Sequence, residues 1–289
     1  MLRRVLTGMF RGALEALRSG GHAALVAQHT VPLPPRNIPT LEGVSNFSFP
    51  TFWGVKDPER FNSLVKELTG EVASGFHAAD NFITWARNNS MLDDQAFVNA
   101  WKANIGSDAD TAIIWRRYVL ACAAFHCVQL EGDFVECGAN AGVGVKTVID
   151  YLGGREFPKQ FWAYDLFEHS ADMAHHAMPE HSPELFGRVQ AMFKDYPQVH
   201  VVKGSVPESL VDNSPDRIAY LHIDMNQAPA EVAALDALFD RMVPGGILIL
   251  DDYEWSFYRT QKLAEDEWFD KRGYRVMPLP TGQGLLVKR

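Results

Sequence analysis

Residues 134–144 read FVECGANAGVG, a short apolar run that ends in glycines and precedes a helical pattern. Glycines at the junction of a strand and a helix allow a tight turn and let a ligand approach the backbone closely. Their order here, Gly-x-x-x-Gly-x-Gly, differs from the Gly-x-Gly-x-x-Gly of dinucleotide-binding turns. The stretch therefore predicts a strand, a ligand-binding turn and a helix.

Strands and helices alternate through most of the chain after this turn. Apolar strand patterns lie at 161–164, 199–202, 218–223 and 246–250, with helix-length segments between most of them. Such connections imply a parallel sheet. The last two apolar stretches, 274–277 and 285–287, flank a short Pro- and Gly-rich connection and predict a closing antiparallel hairpin. The expected fold is therefore α/β, with a Rossmann-like sheet and a terminal hairpin.

The chain before this region predicts a mainly helical extension. We expect residues 1–110 to form that extension, with a Pro-rich connector near 31–50, and residues 111–289 to form the α/β domain. The segment 1–31 is basic and partly apolar, but charged residues interrupt its apolar run, which argues against a signal peptide. It predicts an amphipathic helix that docks on the body of the protein, on a second subunit of a homo-oligomer or on an anionic membrane surface.

Composition narrows the class of protein. The formal net charge of −9 and the lack of a basic stripe argue against nucleic acid as a partner. No apolar run reaches the roughly 18 residues that a transmembrane segment needs. The three cysteines form no Cys-x-x-Cys pair, which favours a reducing, cytoplasmic location.

The glycine-rich turn has an acid beside it. Glu136 would repel a pyrophosphate but attract the amino group of S-adenosylmethionine, so we expect Glu136, Gly138, Asn140 and Gly142 to contact that cofactor. Asp165, at the end of the second strand, is suited to accept hydrogen bonds from the ribose hydroxyls. Without a ligand, the same residues would be a structural turn and a helix cap.

Three aspartates follow the fourth and fifth predicted strands. Asp224 comes directly after the strand at 218–223, and Asp251 and Asp252 follow the strand at 246–250. Because neighbouring strands lie roughly 4.8 Å apart, these carboxylates should crowd together at the sheet edge where ligands bind. A hard divalent cation such as Mg²⁺ would relieve their repulsion. The simpler interpretation makes Asp252 a helix cap and Asp224 a strand end.

A cation at this edge fits methyl transfer to oxygen. The reaction needs a hydroxyl that loses its proton while it is held in line with the sulfonium methyl, and a cation lowers the pKa of such a hydroxyl. The proton acceptor is either Asp224 or His222, which alternation places on the same face of the strand. The sequence therefore predicts a metal-assisted O-methyltransferase acting on a small hydroxylated molecule.

Several motifs together resemble the macrocin O-methyltransferase family. They are Gly132–Gly138, Lys203–Leu210, Leu221–Asp224, and Val243–Gly246 continuing through Asp251–Tyr253. The resemblance spans roughly residues 116–289 and implies a class I methyltransferase fold, S-adenosylmethionine as cofactor, with Ser205 among its contacts, and Mg²⁺ held by the three aspartates. Known members methylate sugar hydroxyls. This chain has Met-Asn-Gln-Ala at 225–228 where the family commonly has Gly-Asp-x-Tyr, a departure on the substrate side.

Two alternatives come from other classes of protein. A nucleotide-cofactor oxidoreductase is disfavoured by the glycine order, Glu136 and the terminal hairpin. A non-catalytic binding protein with the same fold would have no use for three clustered aspartates. The His- and Met-rich segment 169–196 predicts either a lid over the cofactor or a solvated loop.

Overall fold

The computed structural model describes residues 33–34, 44–170, 173 and 177–289. Residues from Leu33 to Arg289 form one compact unit. The segment 1–31, with its predicted amphipathic helix and subunit contact, lies outside the described residues. Within the described part of the chain, no helix is long and apolar enough to span a bilayer.

Short helices and a three-stranded sheet precede the α/β part. They are β1 (Phe47–Ser48), α1 (Pro58–Gly70), β2 (His77–Ala79), β3 (Phe82–Thr84), α2 (Ser90–Asp93), α3 (Gln95–Asn104), α4 (Asp108–Ala112) and α5 (Ile114–Cys127). α1 begins where the Asp57 carboxylate accepts a hydrogen bond from the Arg60 amide, and Asp94 caps α3 in the same way. β2 pairs with β1 in parallel and with β3 in antiparallel orientation.

The β2–β3 hairpin differs from the sequence prediction, which expected helices through this region. Each strand has only three residues, too few to show an alternating pattern. Asp80 and Asn81 join the strands, and both have positive φ, as the central residues of a type I′ turn do. The Asp-Asn pair is therefore the local signal of this hairpin.

The α/β part has a seven-stranded sheet in the order β6-β5-β4-β7-β8-β10-β9. Its elements are β4 (Asp133–Cys137), α6 (Val143–Tyr151), β5 (Phe161–Asp165), α7 (Leu185–Phe193), β6 (Val199–Lys203), β7 (Ile218–Ile223), α8 (Ala228–Leu238), β8 (Met242–Leu250), α9 (Arg259–Asp270), β9 (Met277–Pro278) and β10 (Gly284–Val287). β4 to β8 are parallel, and β10 runs antiparallel to β8 and β9. This confirms the predicted α/β fold with a terminal hairpin.

The strands that carry the predicted site residues lie at the centre of the core. All six residues of β7 are buried, because helices cover both faces of the sheet. α5 packs against α6 and against β7 and β8, as its apolar sequence predicts. The predicted boundary between the N-terminal extension (1–110) and the α/β domain (111–289) stays a prediction.

Strand register brings the predicted residues to one edge. Glu136 is paired with His222 across β4 and β7. The Asp224 amide donates to the Cys137 carbonyl at 2.8 Å, and the Asp251 amide donates to the Ile223 carbonyl at 3.0 Å. The backbone hydrogen bonds between the strands thus continue to Asp224 and Asp251, and they fix the positions of these two residues at the edge of the sheet.

Candidate active site

A cavity of about 350 Å³ opens at the carboxyl ends of β4, β5 and β7, within the size range of small-molecule sites. Four of the six residues predicted to contact the cofactor line it, namely Gly138, Asn140, Asp165 and Ser205. The other lining residues are Tyr164, Leu166, Met173, Met178, His181, Gly204, Val206, Asp224, Met225, Asn226, Gln227 and Ala230. The turn after β4 and the carboxyl ends of β5 and β7 therefore surround one cavity at this edge of the sheet.

Gly138 has a steric reason to be glycine. Its φ is +97°, and a Cβ atom built on it would overlap the carbonyl oxygen of Asp224. The ends of β4 and β7 come this close because the Asp224 amide donates a hydrogen bond of 2.8 Å to the Cys137 carbonyl. Gly142, which does not line the cavity, begins α6 in the left-handed conformation and lies against Phe193.

The carboxylate of Asp165 shapes the turn. It accepts hydrogen bonds from the amides of Asn140, at 2.8 Å, and Phe167, at 2.6 Å. Since a carboxylate can accept about four hydrogen bonds, Asp165 keeps the capacity to bind two hydroxyl groups.

Two amide oxygens at the cavity are unsatisfied. The Oδ1 atoms of Asn140 and Asn226 are buried and have no hydrogen-bond partner among the described residues. Buried polar atoms are normally paired, so these oxygens are suited to receive donors from a bound ligand. The cavity thus fits a polar cofactor such as S-adenosylmethionine, which carries hydroxyl and amino donors.

Part of the predicted lid borders the cavity. Met178 and His181 contribute to the lining, and the Asn140 amide group donates to the Glu180 carboxylate at 3.3 Å. Residues 171–172 and 174–176 of the same segment lie outside the described residues.

Glu136 faces the interior of the sheet rather than the cavity. Its carboxylate lies 3.0 Å from Nδ1 of His222, and Nε2 of the same ring lies 3.5 Å from Asp251. Burial alone would lower the pKa of His222, but the two carboxylates outweigh it and raise the pKa to about 10. Both ring nitrogens lie beside carboxylates, which suits His222 to pair with two acids and not to accept a proton from substrate.

Arg116, from α5, lies at the centre of the carboxylate cluster. Its guanidinium group is buried and forms ion pairs with Asp80, at 2.9 Å, with Asp252, at 3.0 Å, and with Asp251. Gln283 donates a further hydrogen bond of 2.7 Å to Asp251. Burial raises the pKa of Asp252 to about 6 despite Arg116, whereas Arg116 and His222 hold the pKa of Asp251 far below its usual value.

Asp224 has a different environment. It lines the cavity, and no donor among the described residues contacts its carboxylate. Burial and the nearby Asp251 and Asp252 raise its pKa well above the usual value. An acid in this setting gains from a positive charge supplied by a ligand.

The charge balance allows a divalent cation. The cluster contains the carboxyl groups of Asp80, Glu136, Asp224, Asp251 and Asp252 and the cations Arg116, Arg117 and His222. Were all of these groups ionised, negative charges would exceed positive ones by two. Because the donors are mainly carboxylate oxygens, the set suits a hard cation such as Mg²⁺.

Geometry brings His222, Asp224 and Asp251 together, with one potential ligand atom from each within 4.8 Å of the others. This set is not the predicted one, since it replaces Asp252 with His222. Both nitrogens of His222 already face carboxylates, so the ring is a poor ligand. Asp224 and Asp251 are the two predicted acids that this set brings together, and each can offer a carboxylate oxygen to an ion.

Sequence reasoning missed Asp80, Arg116 and Gln283. An arginine inside an otherwise apolar helix signals a buried ion pair, but it does not reveal the partner. Thr281 and Gln283 lie in a Gly-rich turn that the sequence predicts only as a hairpin connection, yet both side chains are buried and bonded to each other at 2.9 Å.

The sequence profile of the macrocin O-methyltransferase (TylF) family matches residues 119–272, just over half of the chain. This chain belongs to the macrocin O-methyltransferase family. Family membership makes it an S-adenosylmethionine-dependent O-methyltransferase, which sets aside the oxidoreductase and the non-catalytic binding protein. A search of the curated proteins gave no match.

This macrocin O-methyltransferase family member is similar to two solved methyltransferase structures, and it shares the fold of the first, NovP. The O-methyltransferase NovP is 20% identical, with a TM-score of 0.52 over 61% of this chain and 80% of NovP. The calicheamicin methyltransferase CalS11 is 15% identical, with a TM-score of 0.49 over 67% of this chain and 91% of CalS11.

The family match leaves out part of the candidate site. Asp80, Arg116 and Gln283 all lie outside residues 119–272. The cavity and the three aspartates therefore lie within the matched region, whereas the side chains that hold Asp251 and Asp252 come from segments before and after it.

Proposed function

We propose that this enzyme methylates a hydroxyl group of a sugar or glycoside, with a divalent cation held by Asp224, Asp251 and Asp252. The observation that carries the proposal is the place of Asp224. It lies in the wall of the cavity and beside the carboxylate cluster, so one side chain borders both the cofactor and the ion. The sugar class follows from the family, whose known members methylate sugar hydroxyls.

Different residues of the cavity contact different parts of the cofactor. Asp165 accepts the ribose hydroxyls, and Gly138 lets the ligand approach the backbone of the turn. The free Oδ1 atoms of Asn140 and Asn226 accept further donors. Ser205 lines the same cavity beyond β6.

Asp224 is the proton acceptor in this proposal. When bound, S-adenosylmethionine supplies the methyl group and Mg²⁺ lowers the pKa of the acceptor hydroxyl. Asp224 would accept the proton of the acceptor hydroxyl, and the products would be the methyl ether and S-adenosylhomocysteine.

The remaining polar residues act as positioning residues. Arg116 and Gln283 hold Asp251 and Asp252 in fixed orientations, and His222 links Asp251 to Glu136. These contacts leave Asp224 as the acid of the cluster that is free to meet substrate.

The test is a screen for S-adenosylhomocysteine release with methyl glycosides, nucleotide sugars and phenols, each with Mg²⁺ and with a chelator. We expect release with sugar acceptors, at least tenfold slower with the chelator or in Asp224→Asn. Release with phenols alone would contradict the sugar class. Equal rates with Mg²⁺ and chelator would remove the cation from the reaction.

A further inference from the structure

Three aromatic side chains form an exposed group next to the candidate site. The rings of Trp53 and Trp255 lie 5.8 Å apart, and those of Trp255 and Phe257 lie 6.0 Å apart. Trp53 is 38% exposed, Phe257 is 61% exposed, and Trp255 is half-buried. We call these three residues the aromatic patch. Exposed clusters of large apolar side chains commonly mark a binding surface.

Two glycines hold the rings of the aromatic patch in place. A Cβ atom on Gly54 would lie 2.6 Å from the tip of the Phe257 ring, and one on Gly282 would overlap the indole of Trp255. Both rings therefore pack directly on backbone, where any other residue would displace them. Glycine at both positions therefore leaves the space that these two rings occupy.

The same hairpin turn that contributes to the carboxylate cluster holds Trp53. The Asn81 side chain accepts a hydrogen bond of 2.7 Å from the Trp53 amide and donates one of 2.9 Å to the Trp53 carbonyl. The adjacent Asp80 pairs with Arg116 at 2.9 Å. One turn thus orients both the patch and the guanidinium group that binds Asp252.

The aromatic patch is also in direct contact with that guanidinium group. The Cζ atom of Arg116 lies 5.0 Å from the centre of the Trp255 ring, within the range of a cation–π interaction. Arg116 in turn binds Asp252 at 3.0 Å. One side chain, Arg116, therefore separates the aromatic patch from the predicted metal ligand Asp252.

We propose that the aromatic patch binds a pyranose ring of the methyl acceptor, an inference that rests on the proposed function. The C–H groups on one face of a pyranose carry partial positive charge, and they pack on the negative face of an aromatic ring. A stable protein partner would need about 800 Å² on each side, which three side chains do not supply.

Saturation-transfer NMR tests this without turnover. The probes are methyl α-D-glucopyranoside and methyl α-L-rhamnopyranoside, added to the whole chain with S-adenosylhomocysteine. We expect saturation of the sugar C–H protons in the wild type, reduced at least fivefold in the Trp53→Ala, Phe257→Ala double variant. The Trp53→Phe, Phe257→Tyr variant keeps the rings and should retain the signal. Trp85→Ala is the matched control, because Trp85 is 58% exposed and lies outside the patch.

Several outcomes overturn the proposal. No signal in the wild type, or an equal signal in the double variant that still binds S-adenosylhomocysteine, would show that the patch does not bind sugar. If the wild type is a dimer without a sugar signal and the double variant is a monomer, the patch is a contact surface between two copies of the chain. If the patch binds sugar but no sugar acceptor gives S-adenosylhomocysteine release in the screen, the proposed function is contradicted. The proposal that the patch binds a pyranose ring would still hold.

Discussion

Arg116 donates two hydrogen bonds of 3.0 Å, one from each terminal nitrogen, to a single oxygen of Asp252. The arginine belongs to a helix before the sheet, and the aspartate follows β8, 136 residues later. The same guanidinium group reaches Asp80 and Asp251. A buried cation from outside the sheet therefore sets the orientation of the acids at the candidate site.

Replacing Arg116 should cost the protein much of its stability. Arg116→Met leaves buried carboxylates without their counter-ion, so the free energy of unfolding should fall by about 3–5 kcal/mol. Arg155→Met is the control, because Arg155 pairs with Asp195 on the surface and should lose less than about 1 kcal/mol. Urea denaturation measures both values, and equal losses would show that the buried cluster does not depend on Arg116.

The close approach at Gly138 leads to a second prediction. In Gly138→Ala the new methyl group overlaps the Asp224 carbonyl, so the turn must shift, and affinity for S-adenosylhomocysteine should fall at least tenfold. Gly187→Ala is the control, since Gly187 lies within α7 with nothing within 4 Å of its missing side chain. That variant should gain up to about 1 kcal/mol of stability. Calorimetric titration that finds the same affinity in both variants would contradict this account of the turn.

Asp165 should account for part of the cofactor affinity. Asp165→Ala removes an acceptor for the ribose hydroxyls and should weaken S-adenosylhomocysteine binding by about 1–3 kcal/mol. Asp195→Ala, at an exposed site, serves as the control. Unchanged affinity in Asp165→Ala, measured by calorimetry, would show that the ribose is held elsewhere.

The sheet and the strand-end residues follow from local patterns in the sequence. Apolar runs with helix-length spacing predict the parallel strands, and the rule that ligands bind at strand carboxyl ends leads to Asp165, Asp224 and Asp251. The side chain of Glu136 is harder to place, because strand register and not sequence spacing brings it against His222.

The supporting residues depend on contacts between distant parts of the chain. Asp80 and Arg116 are 36 residues apart, and Gln283 reaches Asp251 across 32 residues. No periodicity links such residues. The small sheet has the same limitation, since its three-residue strands contain too few side chains to form a pattern. The supporting residues and the small sheet can therefore be identified from the folded structure, but not from the sequence alone.

The most direct test of the site is the NMR signal of S-adenosylmethionine labelled with ¹³C on its methyl group, bound to the protein and titrated with Mn²⁺. If the cation binds at Asp224, Asp251 and Asp252 beside the cofactor, the paramagnetic ion should broaden the methyl resonance of the bound cofactor in the wild type. In Asp224→Asn, we expect the cofactor to bind and the resonance to stay sharp. A wild-type methyl resonance that remains sharp at saturating Mn²⁺ would contradict the proposed neighbourhood of cofactor and ion.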